Sequence, residues 1–328
     1  MVKISLIMAA YNAEQYIKDA ICSVLDQTYK NWELIIVDDG SSDRTAEIID
    51  DFSKKDVRIQ VIHQKNSGTA ASARNTALKY ITGDYVHMLD ADDMIENDLL
   101  ENYYHKLSKG KFDILIPNCR LFRNNDINDA VWEKKAPGND YNLCITGETG
   151  FELSLDWTIH GIFLIKAEII LNMKYDSKLI NGDEFTTRKL LYNASQIGFV
   201  NSYYYYREND NSTTRKNANM YRMFECLLTD INIYNYSISK KMPQTLKNKC
   251  ISKIVKSFWG YSRLYSKLQK EKVVGNEQER ALQILQKTYY TLTKEMWKEV
   301  EFKYRFFFYL SNGKFDKFQK IMKTISAL

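Results

Sequence analysis

The sequence lacks any hydrophobic segment long enough to cross a membrane. No apolar run continues for the roughly 18 residues that a candidate span requires. The apolar run at residues 3–10 has neither a basic stretch before it nor a cleavage site after it, and a secretory signal needs both. The sequence therefore predicts neither a spanning helix nor a signal peptide, and it indicates a cytoplasmic protein or one at the inner face of the membrane.

Paired cysteines are also lacking. The five cysteines are odd in number, widely scattered and never spaced as Cys-x-x-Cys; they are Cys22, Cys119, Cys144, Cys226 and Cys250. This pattern argues against a disulfide framework and against a zinc site. We expect all five to be buried thiols.

Acidic side chains are scarce in the C-terminal part of the chain. Residues 1–213 hold 23 basic and 32 acidic side chains, a balance of −9, whereas residues 214–328 hold 23 basic and 9 acidic side chains, a balance of +14. The net charge of +5 conceals this difference. A segment this basic favours contact with an anionic membrane surface, an acidic acceptor or nucleic acid.

The first hundred residues alternate between strand and helix patterns. The predicted strands are residues 3–9, 34–37, 58–62 and 85–89, and the predicted helices are residues 13–27, 42–52 and 68–80. This alternation predicts an α/β fold with a parallel, doubly wound sheet. Asn12 and Gln15 have the spacing of a capping box, which predicts that the first helix begins directly after Asn12.

The rest of the chain completes this domain and adds a second one. Residues 124–142 are rich in Asn, Asp and Lys and predict an irregular, mobile connection beside the site. Helical patterns dominate from about residue 217. We therefore predict a first domain of residues 1–215 and a smaller, mainly α-helical C-terminal region of residues 216–328.

Three carboxylates follow the predicted strand at 85–89 within four positions. They are Asp90, Asp92 and Asp93. Like charges this close raise one another's pKa unless a cation lies between them, and carboxylate oxygens suit Mg²⁺ or Mn²⁺, whose coordination substrate phosphates complete. The alternative is an acidic turn in which Asp93 caps the following helix.

Polar residues also follow two other predicted strands. Residues 11–12 follow the strand at 3–9, and residues 38–41 follow the strand at 34–37. Ligands of open α/β sheets bind beyond such strand ends. Asp39 could accept the imide N–H of a uracil ring, and Tyr11 could stack on that ring. The alternative is that Asp39 only stabilises its turn and Tyr11 packs in the core.

These segments occur in a fixed order. The order is Ser5-Leu6-Ile7-Met8-Ala9-Ala10-Tyr11-Asn12, Val37-Asp38-Asp39-Gly40-Ser41-Ser42-Asp43, Asn66-Ser67-Gly68, Ala73-Arg74-Asn75 and Leu89-Asp90-Ala91-Asp92-Asp93. In this order the chain resembles the family 2 glycosyltransferases with a GT-A fold, densely over the first hundred residues and more loosely to about residue 215. The family usually has proline at the position of Ala10, which acts through its backbone.

The resemblance implies a function and an organisation. It implies a Rossmann-like, mainly parallel sheet and an inverting transfer of sugar from a nucleotide diphosphate sugar, with UDP preferred, to a carbohydrate or glycoconjugate hydroxyl. Mn²⁺ or Mg²⁺ would be the cofactor. Nucleotide-sugar binding would lie in residues 1–95, and the acceptor side with the catalytic base in residues 146–215. The setting would be the assembly of bacterial surface polysaccharide or glycoconjugates.

The resemblance also implies roles for single residues. Tyr11 and Asp39 would hold the nucleobase, Arg74 would approach the base or the diphosphate, Asp90 would contact the ribose or the sugar, and Asp92 would bind the metal. Further nucleotide-sugar contacts would come from Ala10, Asn12, Asn66, Gly68 and Ala91. An arginine fork suits phosphate oxygens, and a metal neutralises charge on the departing diphosphate. A surface salt bridge is the alternative for Arg74.

Residues 181–187 resemble the acidic segment in which family members keep the catalytic base. Gly182 replaces the first acid of that pattern, and aligning the following Phe-Thr-Thr places Asp183 on the base position, with Glu184 as the runner-up. One carboxylate suffices, because an inverting transfer needs only one base to take the proton of the attacking hydroxyl. The alternative is that both acids cap the helix that begins here.

The acceptor pocket has a weaker signature. Trp157, His160 and Gly161 could line it, since tryptophan offers an apolar face to sugar C–H groups and glycine permits close approach. The acceptor would be a saccharide or a lipid-linked saccharide. A tryptophan packed in the core is the alternative.

The segment at 203–215 resembles the Tyr-Tyr-Tyr-Arg run of the family and the Ser-x-x-Arg run that follows it. The resemblance makes Ser212 and Arg215 candidate diphosphate contacts on a loop that orders when the donor binds. Tyr203 and Tyr205 alternate along a predicted strand, which favours a place in the core.

Aromatic and cationic side chains are mixed in the C-terminal region, at residues 253–265 and 302–309. A basic amphipathic helix with large aromatics can lie in a membrane interface, where lipid-linked acceptors are found. The alternatives are a small helical domain whose aromatics form its own core, and a homodimer contact.

Two other functions remain as alternatives. A catalytically inactive nucleotide-sugar-binding module would keep Tyr11, Asp39 and Asp92 without turnover. A nucleotidyltransferase would also use a metal-bound pair of acids, but it normally has a glycine-rich phosphate loop, which residues 8–12 do not provide. Nucleic-acid binding is not predicted, because no reading motif is present.

Overall fold

The computed structural model describes residues 1–178, 181–209, 220–273, 275 and 277–325. The chain divides into two compact units. The first comprises Met1–Ser177 and Thr186–Asn209, and the second comprises Lys178–Phe185 and Asp210–Leu328. The domain boundary predicted after residue 215 falls within 210–219, outside the described residues, and stays a prediction.

Ten strands in the described residues form one sheet of the first unit. They are β1 (Ile4–Ala10), β2 (Trp32–Asp38), β3 (Ile59–His63), β4 (Tyr85–Met88), β5 (Met94–Ile95), β6 (Ile114–Arg123), β7 (Asp126–Lys134), β8 (Cys144–Ile145), β9 (Leu164–Lys166) and β10 (Ile197–Arg207). Their order is β3-β2-β1-β4-β9-β6-β10-β5, with β7 beside β6 and β8 beside β10. Strands β3, β2, β1 and β4 are parallel to one another, and β6 is parallel to β10.

Helices alternate with these strands. They are α1 (Ile17–Leu25), α2 (Thr45–Ser53), α3 (Ala70–Ala77), α4 (Leu99–Lys109), α5 (Gly147–Leu155), α6 (Ala167–Leu171) and α7 (Gly182–Asn193). The prediction of an α/β fold with a central sheet, followed by a helical region, is confirmed. The sheet is mixed, because its N-terminal strands pair in parallel, whereas β9 is antiparallel to both β4 and β6. The predicted strands of the first hundred residues are all present, with ends within three residues of the prediction.

The sheet is buried on both faces because its strands send alternate side chains to opposite sides. Leu6 and Met8 of β1 join Ile21 of α1 in one core, whereas Ile7 joins Ala73 of α3 in another. Burying each such aliphatic side chain contributes about 1.5–3 kcal/mol. A doubly wound sheet needs nearly continuous apolar strands for this reason, and β1 and β2 have them.

The predicted start of the first helix is wrong. Helix α1 begins at Ile17, and its N-cap residue, Tyr16, makes no side-chain capping bond. Asn12 has a left-handed φ of 48°, and its Oδ1 accepts a hydrogen bond from the Ser42 N–H at 2.8 Å. The capping box does not form because the Asn12 side chain binds the neighbouring loop instead.

Residues 124–142 are more regular than predicted. Strand β7 occupies 126–134 of this range and pairs antiparallel with β6. The prediction was wrong because β7 is a largely exposed strand whose residues are mostly polar, so its sequence resembles that of a loop.

The expectation that all five cysteines are buried is partly wrong. Cys144 is exposed, and Cys22 and Cys226 are only half-buried.

The described part of the second unit is built largely of helices. Its main helices are α8 (Cys226–Ser239), α9 (Gln244–Lys270), α10 (Gln278–Thr291), α11 (Lys294–Lys298), α12 (Phe302–Ser311) and α13 (Phe315–Ile325). Large aromatics such as Phe258, Trp297 and Phe318 are fully buried in its own core. None of the helices placed by the structure is long and apolar enough to span a bilayer.

Candidate functional site

The carboxyl ends of β1, β2 and β4 lie side by side, because β1 pairs in parallel with both neighbours. Hydrogen bonding continues past the strand ends: the Asp39 N–H donates to the Ala10 carbonyl at 2.8 Å. The polar segments 11–12, 38–41 and 90–93 therefore leave the sheet at one edge. Ligands of open α/β sheets bind at this edge.

Tyr11 is displayed to solvent at this edge. Its side chain is 54% exposed, so the alternative in which it packs in the core is wrong. The turn behind it is braced, since the Asn12 N–H donates to Ser41 Oγ at 3.0 Å in addition to the bond between Asn12 and Ser42. An exposed ring on a braced turn can stack against a flat ligand.

Asp39 is buried and accepts hydrogen bonds at both carboxylate oxygens. Oδ1 accepts from Gln64 Nε2 at 2.5 Å, and Oδ2 accepts from Ser67 Oγ at 3.0 Å. The Ser67 N–H lies 3.0 and 3.1 Å from the two oxygens. The carboxylate thus holds the loop before α3, and a nucleobase N–H would share or replace these partners.

Glycine lets this loop lie against residues 38–41. Gly40 has a φ of 73°, and a Cβ at this position would lie 2.7 Å from the Asn66 backbone nitrogen. Asn66 Oδ1 in turn accepts from the Gly68 N–H at 2.8 Å, and Gly68 has a φ of 82°. Both glycines adopt backbone conformations that other residues rarely reach.

Arg74 and Asp90 form an ion pair beside the acidic turn. Arg74 Nη2 lies 2.6 Å from Asp90 Oδ1, and the two side chains are 7% and 39% exposed. The guanidinium also lies 5.8 Å from the centre of the Tyr175 ring. Arg74 is therefore buried, which contradicts the surface salt bridge considered as its alternative. Its partner Asp90 reaches solvent.

Strand β10 holds the acidic turn through a tyrosine. Tyr204 Oη accepts from the Asp90 N–H at 3.2 Å and donates to Asp93 Oδ2 at 2.6 Å. Asp93 Oδ1 accepts from the Arg207 N–H at 2.8 Å. Asp93 is fully buried, and α4 begins only at Leu99. The alternative in which Asp93 caps that helix is therefore wrong.

Arg207 connects the acidic turn to two other elements. Its Nε donates to the Asp92 carbonyl at 2.8 Å, and its Nη2 lies 3.3 Å from Asp19 Oδ2 on α1. Its Nη1 donates to Asn125 Oδ1 in the turn between β6 and β7. The side chain is 3% exposed. Because three nitrogens of the planar guanidinium each contact a different residue, the side chain is rigid and fixes the backbone at Asp92.

The acids of the turn have perturbed pKa values. Burial, and then the neighbouring Asp90 carboxylate, raise the pKa of Asp92. Burial, and then the Asp92 and Asp90 carboxylates, raise the pKa of Asp93 well above its usual range. Asp92 Oδ2 accepts from Asn209 Nδ2 at 3.1 Å, which is a neutral donor. A carboxylate in such surroundings binds a cation favourably.

The oxygen ligands of the acidic turn fit a metal ion that is held by a single protein carboxylate. Among the residues placed by the structure, no group of three or more His, Cys, Asp or Glu could hold a metal ion. Mg²⁺ and similar ions commonly keep several waters and bind through one or two carboxylates together with substrate phosphates. The chemistry of Asp92 meets this requirement.

Asp183 and Glu184 lie in the first turn of α7. The Glu184 N–H lies 2.9 Å from Asp183 Oδ1 and 3.1 Å from the Asn181 carbonyl. Acids in a first turn are stabilised by the helix dipole, as the capping alternative requires. These two acids belong to the second unit and the acidic turn to the first, so their role as base stays a prediction.

Two of the predicted acceptor residues pack against later residues of α7. Trp157 has a φ of 63° and is 44% exposed, so it is not a core residue. Its ring lies 5.8 Å from the Arg188 guanidinium. A Cβ at Gly161 would lie 2.9 Å from Thr187 Cγ2, so the glycine allows this helix to approach closely.

His160 is buried, and both ring nitrogens bind backbone groups. Nε2 pairs with the Pro117 carbonyl at 2.8 Å, and Nδ1 accepts from the Ile162 N–H at 3.2 Å. These partners require the neutral tautomer that carries its proton on Nε2. In this conformation the imidazole organises the backbone, and its predicted contact with an acceptor stays untested.

The remaining predicted contacts divide into two groups. Ser212 and Arg215 lie outside the described residues, and their roles stay predictions. Tyr205 is buried, as expected for strand core, but Tyr203 is only half-buried and stacks on it with ring centres 5.9 Å apart. Tyr204, which lies between them, is the more deeply buried residue.

Two sequence comparisons identify relatives. The family model described as Glycosyl transferase family 2 matches residues 5–155. The glycosyltransferase GlyG of Streptococcus pneumoniae serotype 4 is 31% identical over 224 residues, which are 65% of this chain and 73% of GlyG. The Escherichia coli protein WfgD, a UDP-Glc:alpha-D-GlcNAc-diphosphoundecaprenol beta-1,3-glucosyltransferase, is 42% identical over 124 residues, 38% of this chain. That alignment spans about half of WfgD, 48% of its length.

A solved structure with a similar fold is that of S. aureus TarS 1–349 in complex with UDP-GlcNAc. The TM-score is 0.74 at 19% sequence identity, and the match covers 99% of this chain and 92% of TarS 1–349. At this identity the similarity describes the fold alone. The fold is GT-A, with a helical region after the sheet domain.

Proposed function

Because the chain belongs to the family 2 glycosyltransferases, we propose that it is an inverting enzyme that uses a UDP-sugar donor and a carbohydrate or glycoconjugate acceptor. The observation that carries this proposal is the convergence, at one edge of the sheet, of exposed Tyr11, the Arg74–Asp90 pair and the acidic turn. The family relation supports glycosyl transfer, and this convergence supports a nucleotide diphosphate sugar as donor.

The donor would lie across the ends of β1, β2 and β4. Tyr11 would stack on the uracil ring, and Asp39 would accept its imide N–H by sharing the carboxylate that now binds Ser67. Arg74 would attract the diphosphate while it orients Asp90 toward the ribose or sugar. Ala10, Asn12, Asn66, Gly68 and Ala91 would contribute backbone contacts along this edge.

A divalent cation is part of the proposal. Asp92 would hold Mn²⁺ or Mg²⁺, whose chemistry is to neutralise negative charge on the departing nucleoside diphosphate. Tyr204 and Arg207 fix the turn from behind, so the Asp92 carboxylate needs little reorganisation to receive the ion. Ser212 is proposed to add a hydroxyl contact to the diphosphate, and Arg215 a cationic one.

The chemical step would be a direct displacement. Asp183, or Glu184 in its place, would take the proton of the acceptor hydroxyl as that oxygen forms a bond to the anomeric carbon. The bond from the anomeric carbon to the diphosphate oxygen breaks, and UDP leaves with the electron pair. Attack opposite the leaving group inverts the anomeric configuration. Trp157, His160 and Gly161 stay proposed for the acceptor side.

The proposal extends to the acceptor and the setting. WfgD is named for an acceptor carried on diphosphoundecaprenol, and a saccharide or lipid-linked saccharide is proposed here as well. We place the protein at the cytoplasmic face of a membrane, reached through its basic C-terminal region, in bacterial surface polysaccharide assembly. A homodimer contact is the competing proposal for the C-terminal region. An inactive nucleotide-sugar-binding module is the competing proposal for the function, and no specific observation favours a nucleotidyltransferase.

Calorimetric titration with UDP, GDP and dTDP, each with and without Mn²⁺, tests this proposal. We expect UDP to bind most tightly and to need Mn²⁺. The Asp92→Ala variant should lose the effect of Mn²⁺, because it removes the proposed ligand, whereas Asp98→Ala, outside the acidic turn, should retain it. Absence of nucleotide binding by the wild-type protein would overturn the proposal.

A further inference from the structure

Helix α12 has an inner face that stabilises the second unit. Phe308 stacks on Trp297 with ring centres 4.5 Å apart, and Phe307 lies 5.0 Å from Trp259. Phe308 is 6% exposed and Trp297 is fully buried. These contacts fix the rotation of the helix about its own axis, so the orientation of its opposite face is also fixed.

The outer face of α12 is also apolar. Its large side chains are 73%, 45%, 52% and 43% exposed at Phe302, Phe306, Tyr309 and Leu310. Spacings of four, seven and eight residues put these side chains on one face of a helix. Scattered exposed hydrophobic residues are common, but a stripe of three aromatics and a leucine on one helix indicates a binding surface.

Lysines lie beside this stripe and on the next helix. Each helical residue advances by about 100°, so Lys303 lies to one side of the line from Phe302 to Tyr309, whereas the half-buried Arg305 donates from Nη2 to the Val300 carbonyl at 3.2 Å. Lys303 is 61% exposed and lies 3.0 Å from Glu301. Helix α13, which packs on α12, buries Phe318 and Met322 and exposes lysines, which are Lys317, Lys320 and Lys323.

We propose that this face of α12, formed by Phe302, Phe306, Tyr309 and Leu310, binds the surface of an anionic lipid bilayer. Large apolar and aromatic side chains with exposed lysines nearby are the composition that stabilises a helix lying in the interface. The surrounding region, residues 214–328, has a charge of +14, and each cation near an anionic surface adds attraction.

Charge argues against a second copy of this chain as the occupant. In a symmetric dimer the same patch would face itself, so the basic surroundings of the stripe on one copy would lie against the same basic surroundings on the other. Like charges facing each other across an interface oppose association. An anionic bilayer instead satisfies the aromatic stripe and the cations together. This inference names the partner of the proposed membrane contact and uses no step of the glycosyl transfer.

Vesicle flotation of the full chain tests the inference. The probes are vesicles of phosphatidylglycerol with phosphatidylcholine and vesicles of phosphatidylcholine alone. We expect binding to the anionic vesicles that weakens with salt. A Phe302→Ser/Phe306→Ser variant should lower the partition coefficient by roughly tenfold or more, since two phenyl rings lose their apolar environment. Tyr80→Ser, which removes an exposed aromatic of the first unit, should bind as the wild type does.

Two outcomes would overturn the inference. One is equal vesicle binding by the wild type and the double variant with both proteins folded by circular dichroism. The other is absence of wild-type binding together with a concentration-dependent dimer, in analytical ultracentrifugation, that the double variant loses. Nucleotide calorimetry on the same preparations separates this inference from the proposed function, because UDP binding does not require vesicles.

Discussion

The acidic turn is held in place by side chains that lie more than a hundred residues away in the chain. Tyr204 and Arg207 make four hydrogen bonds to Asp90, Asp92 and Asp93, two of them to backbone groups. Buried hydrogen bonds to charged groups are worth about 1.5–3 kcal/mol each. The proposed metal ligand therefore depends on β10 for its position.

We predict that Arg207→Lys weakens the Mn²⁺ dependence of UDP binding by about tenfold or more, because a lysine cannot keep the three separate contacts of the guanidinium. Calorimetry at several Mn²⁺ concentrations measures this change. Arg120→Lys is the matched control, since Arg120 lies on the neighbouring strand β6 and its guanidinium binds Glu133 at 2.5 Å and the Ile127 carbonyl at 3.3 Å. Equal Mn²⁺ dependence in both variants would contradict the role of Arg207.

Part of this network could have been inferred from the sequence. A strand with consecutive tyrosines places Tyr204 on the face opposite Tyr203 and Tyr205, and it ends in Arg207, a residue type that pairs with acids, although the sequence alone assigns Arg207 no role. The pairing of β10 with β5 was not visible, because β5 has only two residues. Long-range pairing of so short a strand leaves no periodic signal.

Among the elements, α7 carries the acids proposed as the base. Its first turn holds Asp183 and Glu184, and Thr187, one turn later, lies against Gly161. The sequence indicates a helix here only through the capping alternative, and α7 does begin at Gly182, directly before these acids. The capping prediction failed for the start of α1, where Asn12 binds the loop at Ser42 instead of capping the helix.

The predicted base can be tested by substitution in α7. Asp183→Asn should lower turnover by about 10²–10⁴-fold, since it removes a general base, and should leave the UDP dissociation constant unchanged. Glu184→Gln, one residue later on the same helix, should lower turnover only a few-fold. UDP release from the donor measures turnover, and calorimetry measures affinity. A reversed order of the two variants would assign the base to Glu184.

For the whole chain, two buried histidines link stability to pH. Burial lowers the pKa of His87 and of His160 from 6.5 to about 4. Below about pH 6.5 the unfolded chain binds protons that the folded chain does not, so the free energy of unfolding falls between pH 6.5 and 4. Each histidine contributes about 3 kcal/mol to this loss. His63 acts in the opposite direction, because its hydrogen bond to Asp38 raises its pKa, but it is half-exposed.

We predict that stability to urea decreases from about pH 7 to about pH 4.5, and that His160→Gln makes the decrease shallower. The glutamine carries no titrating group, so the part of the loss that comes from His160 disappears. His105→Gln is the control, since His105 is 59% exposed. Identical pH profiles for the two variants would show that His160 does not control acid stability.

The stereochemistry of transfer tests the central claim most directly. The wild-type protein would be incubated with the UDP-α-sugar that binds it, Mn²⁺ and a saccharide acceptor, and the first product would be observed by proton NMR. A single displacement assisted by one base predicts a β-linked product. An α-linked product would contradict the account, because retention requires a second displacement or a different reaction path.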